Sequence, residues 1–114
     1  MQRRSEGRGG KSGNKLTTDG NWQTLISEVV PAGKLWRVAR VKFLSRCWGE
    51  GDILIDEISV DNALTGAAEN NVVCDQNPYR ELTAGQKFEV KFKRNYGATS
   101  ADITAIATMT TIDV

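Results

Sequence analysis

The chain has 114 residues, enough for one domain that buries roughly two thirds of its unfolded surface. Its net charge is +1, 39% of its residues are apolar, and histidine is absent, which removes the histidine general base, the Ser–His and Cys–His nucleophile pairs and the commonest zinc ligand. Two cysteines, Cys47 and Cys74, cannot make a four-cysteine zinc site or a disulfide framework within one chain; they are either a pair or two core-lining thiols.

The near-zero charge conceals an asymmetry. Residues 1–15 carry Arg3, Arg4, Arg8, Lys11 and Lys15 against Glu6 alone, for +4, and everything after them sums to −3. Met1 to Asn14 contains four glycines, two serines and five charges, with no apolar residue after Met1. Nothing there offsets an ordering cost of about 1–2 kcal/mol per residue. The expectation is a flexible basic N-terminal arm, residues 1–15, and one domain over residues 16–114. No stretch approaches the roughly 18 apolar residues of a membrane span, and no apolar segment follows the basic N-terminus as in a secretory signal. The expected chain is therefore made in a cytoplasm and has no membrane partner.

From Leu16 onward the texture is β: short Val, Ile, Thr and aromatic runs separated by Gly, Asn, Asp and Pro, about seven strands in all. Trp22 follows Asp19-Gly20-Asn21 at the start of the first strand. Val30-Pro31-Ala32-Gly33-Lys34 and Leu82-Thr83-Ala84-Gly85-Gln86 rhyme as turns in which each glycine supplies φ > 0. They are either simply good turns or the mark of two related halves stacked as a double Greek key. In Lys34–Arg46, Trp36 and Val38 share one parity and Val41 and Phe43 the other, which a bulge near Ala39 or Arg40 reconciles. Asp52–Val60 shows the same slip and reads as a second long bent strand, joined to the first by a tight loop, Cys47-Trp48-Gly49-Glu50-Gly51. Asn62–Asn71 reads as a loop holding at most one helical turn. In Gln86–Arg94, Phe88, Val90 and Phe92 alternate with Lys87, Glu89, Lys91 and Lys93, giving one dry and one wet face. In Asp102–Asp113, Ile103, Ala105, Ala107 and Met109 share one face; the opposite face, Thr104, Ile106, Thr108 and Thr110, is nearly uncharged. Such a strand is interior or covered by a neighbouring subunit.

No motif carries catalysis: there is no phosphate-binding Gly-x-x-x-x-Gly-Lys, and a sandwich this small leaves little room for a glycosidase cleft. Glu50, Asp52, Asp56, Glu57 and Asp61 are carboxylate-rich, but Asp52 and Asp56 stand about 13 Å apart along a strand and cannot chelate one calcium ion alone. They read as a solvated face opposite Lys91, Lys93 and Arg94, or Arg40 and Lys42. The expected catalytic residues, metal ligands and cofactors are therefore none.

The runs VPAGKLWRVARVKFLSR (residues 30–46), GDILIDEISV (51–60) and ELTAGQKFEVKF (81–92), closed by a Thr-rich strand, resemble the small single-jelly-roll proteins of tailed-bacteriophage virions, many of them head decoration or cement proteins. The resemblance covers about 85 residues through turns and core positions. It implies an all-β, single jelly-roll-like antiparallel β-sandwich that acts as a virion structural protein on the capsid exterior. Its partners are then the major capsid protein and its own copies as a homotrimer. Arg3, Arg4, Arg8, Lys11 and Lys15 become the capsid-binding arm, whose fifteen residues reach at most about 50 Å. Trp22, Trp48, Ile106 and Ile112 become candidates for subunit or partner contacts.

Two other readings stand beside this one. Trp22, Trp36 and Trp48 suit a carbohydrate- or receptor-binding module of a virion, although Trp36 has core phase. The arm, with its Arg8-Gly9-Gly10, suits a small coat protein that binds nucleic acid. Five basic residues neutralise at most about five phosphates and no aromatic is interleaved, so nucleic acid is the weaker partner.

Overall fold

A computed structural model describes residues 6–17, 21–45, 48–65, 71–96 and 101–114. Among these described residues are eight strands: β1 (Glu6–Thr17), β2 (Gln23–Val29), β3 (Lys34–Ser45), β4 (Trp48–Ile55), β5 (Ile58–Thr65), β6 (Asn71–Thr83), β7 (Lys87–Tyr96) and β8 (Ala101–Asp113). β1 pairs with β8, β2 with β7, β3 with β6 and β4 with β5, all antiparallel, so the chain is one long double strand folded back at the β4–β5 hairpin. Two further pairings, β3 with β8 and β4 with β7, roll that double strand into sheets of order β1-β8-β3-β6 and β2-β7-β4-β5. This is a single jelly-roll sandwich, 57 × 22 × 19 Å.

The rhyming turns are where the double strand crosses between sheets. Lys34 N donates to Pro31 O and Gln86 N to Thr83 O, with Gly33 at φ 78° and Gly85 at φ 89°, the geometry of type II turns. The two turns also dock on each other, Val30 N donating to Gln86 O at 3.0 Å and Gly85 N to Val30 O at 2.9 Å. The expected bulge in β3 is present: the register against both β6 and β8 shifts between Val38 and Arg40, leaving Trp36, Val38, Val41 and Phe43 all buried.

Four expectations are corrected. Asp52–Val60 is not one bent strand but the β4–β5 hairpin, turned by Asp56 (φ 50°) and Glu57 (φ 68°). Two consecutive left-handed residues make a type I′ turn, which usually announces itself by Asn-Gly and here does not. Asp56 is held there by Lys87, whose N–H donates to Asp56 Oδ1 at 2.9 Å while Asp56 N donates to Lys87 O at 2.9 Å. Gly49 and Gly51 lie in β4 rather than in a loop, and residues 62–65 belong to β5. Residues 6–15, expected to stand apart from the sandwich, run along β8 as an edge strand from Glu6 opposite Ile112 to Thr17 opposite Ala101.

The core lies between the sheets. Phe88, Val90 and Phe92 of β7 face Trp36, Val38, Val41 and Phe43 of β3 and Ile103, Ala105, Ala107 and Met109 of β8, all buried. Each large side chain so buried contributes about 1.5–3 kcal/mol. Phe43 and Phe92 meet at 6.3 Å between centroids, tilted by 41°. A side chain at Gly51 would strike the Phe43 ring at 2.5 Å, and one at Gly49 the Phe92 ring at 2.4 Å. The two glycines form the slot in which the rings sit.

Candidate functional site

The residues singled out from sequence are dispersed over the sandwich. Arg3 and Arg4 lie outside the described residues, as does Cys47; Arg8 and Lys15 occupy β1, opposite Thr110 and Ile103. Lys11 turns toward the second sheet, 3.9 Å from Glu28 Oε1 and with its ammonium 5.6 Å from the centre of the Trp36 ring. Trp36 itself is core, as its phase indicated. Trp22 and Trp48 are 44% and 48% exposed, large for tryptophan, and the Lys93 ammonium lies 5.8 Å over the Trp22 ring. Ile106 is exposed at the middle of β8, opposite Ser12 on one side and Lys42 on the other. Ile112 is 1% exposed, so its side chain is inside the fold and not at a surface for a subunit contact. Thr110 and Thr111 are both half-buried in β8, and the inward alternation read from Ile103 to Met109 does not continue to Ile112.

The acidic residues do not converge. Asp52 accepts from Ser59 Oγ and stands opposite Lys91; Glu50 stands opposite Lys93; Asp56 holds the Lys87 backbone; Glu57 is 3.9 Å from Lys87 Nζ. Lys91 and Lys93 are thus the register partners expected, whereas Arg40 and Lys42 belong to the other sheet. Among the described residues no three metal-ligating side chains come together. The face of β7 expected to be wet holds one surprise: Glu89 is buried. Lys87 and Lys91, two residues away on the same face, close over it with ammonium groups at 3.4 and 4.0 Å, and they satisfy its charge.

One polar seam was not foreseen. Against β3, β6 inserts residues 76–79 where β3 has Ala39 alone. An open groove of about 580 Å³ results between β5 and β6, lined by Val60, Asp61, Asp75, Gln76, Tyr79 and Arg80 among others. Within it Gln76 Nε2 donates to Asp61 Oδ2 at 2.8 Å and Arg80 Nε donates to Gln76 Oε1 at 3.0 Å, and beside it the Arg37 guanidinium lies 4.9 Å over the Tyr79 ring. The free thiol of Cys74, 3.7 Å from the Asn62 carbonyl oxygen, is pushed up to about 11 by burial and by Asp61 and Asp75. It is therefore protonated and a poor nucleophile at neutral pH. The only sequence signal for this seam was Pro78 in a polar stretch, which marks an edge strand.

No protein family matches the chain by sequence, and no curated protein does either. Solved structures do match in fold. A chain of the acid-stable capsid of Helicobacter pylori bacteriophage KHP30 superposes with a TM-score of 0.55 at 7% identity, over 94% of this chain and 93% of that one. The insecticidal δ-endotoxin Cry8Ea1 of Bacillus thuringiensis superposes with a TM-score of 0.50 at 15% identity, over 89% of this chain and 19% of the toxin. The infectious bursal disease virus Gx strain structure overlaps more loosely, with a TM-score of 0.40 at 13% identity, over 98% of this chain and 32% of that one. The chain thus spans about a fifth of the toxin but nearly the whole of the phage chain. At these identities the likeness is one of fold, the jelly roll.

Proposed function

We propose that the chain is a virion structural protein, specifically a decoration or cement protein seated on the outer surface of a capsid. The observation that carries this reading is the match to the bacteriophage KHP30 capsid chain, in which both chains are covered almost completely and are therefore of nearly equal length. A jelly roll of this size suits an added component, since a shell-forming coat usually needs a larger roll. The surface agrees with binding rather than turnover: exposed Trp22, Trp48, Ile106, Val73 and Leu64 supply contact area, and the buried Cys74 thiol is protonated. The major capsid protein is the partner in this reading, and a homotrimer the form in which it binds.

The test is co-sedimentation of the full chain with assembled capsids of its own virus across a range of ionic strength. Saturable binding that weakens with salt is expected, because the basic N-terminal segment contributes long-range attraction. A chain that stays in the supernatant at every salt concentration overturns the reading. The carbohydrate-binding alternative has less room, because Lys93 already covers a face of Trp22. Saturable quenching of tryptophan fluorescence by a sugar favours it instead.

A further inference from the structure

Glu6–Thr17 is composed like a tail and built like a strand. In sequence it holds four glycines and one apolar residue, Leu16. In the sheet it sits at the edge, bonded along its length to β8 and to no other strand of that sheet. Lys11 is half-buried and Ser12 exposed. An edge strand that is rich in glycine and polar residues is prone to alternate pairing. What it would leave behind is costly: the backbone edge of β8, whose Ile103, Ala105 and Ala107 are fully buried, would stand unpaired.

We propose that β1 is an exchangeable strand, which pairs with β8 of a second copy of this chain and so links copies into a closed oligomer. The seat selects its occupant. Gly13 lies where any Cβ would come within 1.7 Å of the Leu25 carbonyl oxygen, so that position accepts glycine alone. Two residues earlier, Lys11 reaches Glu28 and the Trp36 ring from its place opposite Ala107. An incoming strand must therefore present Lys-x-Gly in register with Ala107 and Ala105. The β1 of another copy does so by construction. β1 ends at Thr17 and β2 begins at Gln23, and the five residues between them extend to at most about 20 Å, so donor and acceptor must be adjacent. Reciprocal exchange between adjacent copies makes the same contacts twice and closes a symmetric assembly. The proposal does not depend on the virion reading.

Register provides the experiment. Ser12 stands opposite Ile106, within disulfide reach of a cross-strand pair. Full-length chains carrying Ser12→Cys are mixed at high concentration with full-length chains carrying Ile106→Cys, incubated, oxidised and run on a non-reducing gel. A mismatched mixture, Ser12→Cys with Thr110→Cys, serves as the control, since Thr110 lies about 13 Å further along β8. Exchange predicts a disulfide between the two matched chains, several times more abundant than in the mismatched mixture and rising with concentration. The double variant Ser12→Cys/Ile106→Cys reports the pairing itself. If it closes within one chain while the matched mixture gives no more cross-linked species than the control, β1 does not exchange. If it closes neither within nor between chains, the pairing on which the proposal rests is absent.

Discussion

The slot formed by Gly49 and Gly51 makes a quantitative demand on the core. A methyl group at residue 51 would lie 2.5, 2.6 and 2.8 Å from three carbons of the Phe43 ring. Ordinary carbon contacts are about 3.5–4.0 Å, so the ring or β4 must yield by about 1 Å. The ring is 0% exposed and has Phe92 beside it, so it cannot swing out into solvent without opening the core. Overpacking of this kind costs about 1–3 kcal/mol, and the lower backbone entropy of unfolded alanine relative to glycine returns about 0.5–1 kcal/mol. Gly51→Ala is thus expected to destabilise by about 1–2 kcal/mol, a fall in Tm on the order of 5–10 °C for a domain of this size. The sharper test is a double-mutant cycle. Phe43→Leu removes the atoms that clash, so in its background Gly51→Ala should be neutral or stabilising, with a coupling of about 1–3 kcal/mol. Urea unfolding of the four proteins measures it. If Gly51→Ala costs the same in both backgrounds, to within about 0.5 kcal/mol, the ring does not occupy the glycine's space and the packing argument fails.

Further outcomes follow from other positions. Glu57 holds φ 68° with a side chain 79% exposed, so Glu57→Gly should relieve left-handed strain and raise stability by about 0.5–1 kcal/mol, read as a higher midpoint in thermal unfolding. The Cys74 thiol, raised from 9.0 to about 11, is protonated when folded but ionises sooner when unfolded; stability present below pH 9 should therefore decline between pH 9 and 11. Cys74→Ala should lose that part of the slope, and the difference between the two proteins isolates it from lysine and tyrosine titration. Gly13→Val should drive β1 off the Leu25 carbonyl while sparing the core: trypsin should then cut rapidly after Lys11, with the rest of the chain resisting, whereas the unaltered chain is cut slowly.

What the sequence disclosed and what it hid divide along a physical line. Elements specified by side chains were legible: the alternation of Phe88, Val90 and Phe92, the phase slip at Ala39, and the paired turns with Gly33 and Gly85. Elements specified by the backbone were not. The Asp56-Glu57 turn lacks the glycine or asparagine that favours positive φ, and what holds it is a pair of hydrogen bonds to Lys87, thirty-one residues away from Asp56. β1 has no side-chain signal for a strand, because N–H and C=O groups pair equally well whatever they carry. At the candidate surfaces, exposure at Trp22 and Trp48 was within reach of the pattern. The burial of Ile112 and Glu89 and the polar seam at β6 depend on which strands become neighbours.

The division also bears on which edge of the sandwich meets a partner. The sandwich has four edge strands, β1 and β6 in one sheet and β2 and β5 in the other, and each presents unpaired backbone groups that invite another strand. Three of them carry blunting devices. β6 has Pro78 and the four-residue insertion; β2 shifts register between Thr24 and Ile26; β5 faces a shift between Ile53 and Leu54 and follows the tight Asp56-Glu57 turn. β1 runs its whole length against β8 without a shift and carries only its charges as protection. An edge left regular while the others are interrupted is the one on which a further strand can align. The same regular register also lets β1 depart and another copy's β1 take its place. Lys11, 3.9 Å from Glu28, gives a strand arriving in this register a charge partner on the second sheet.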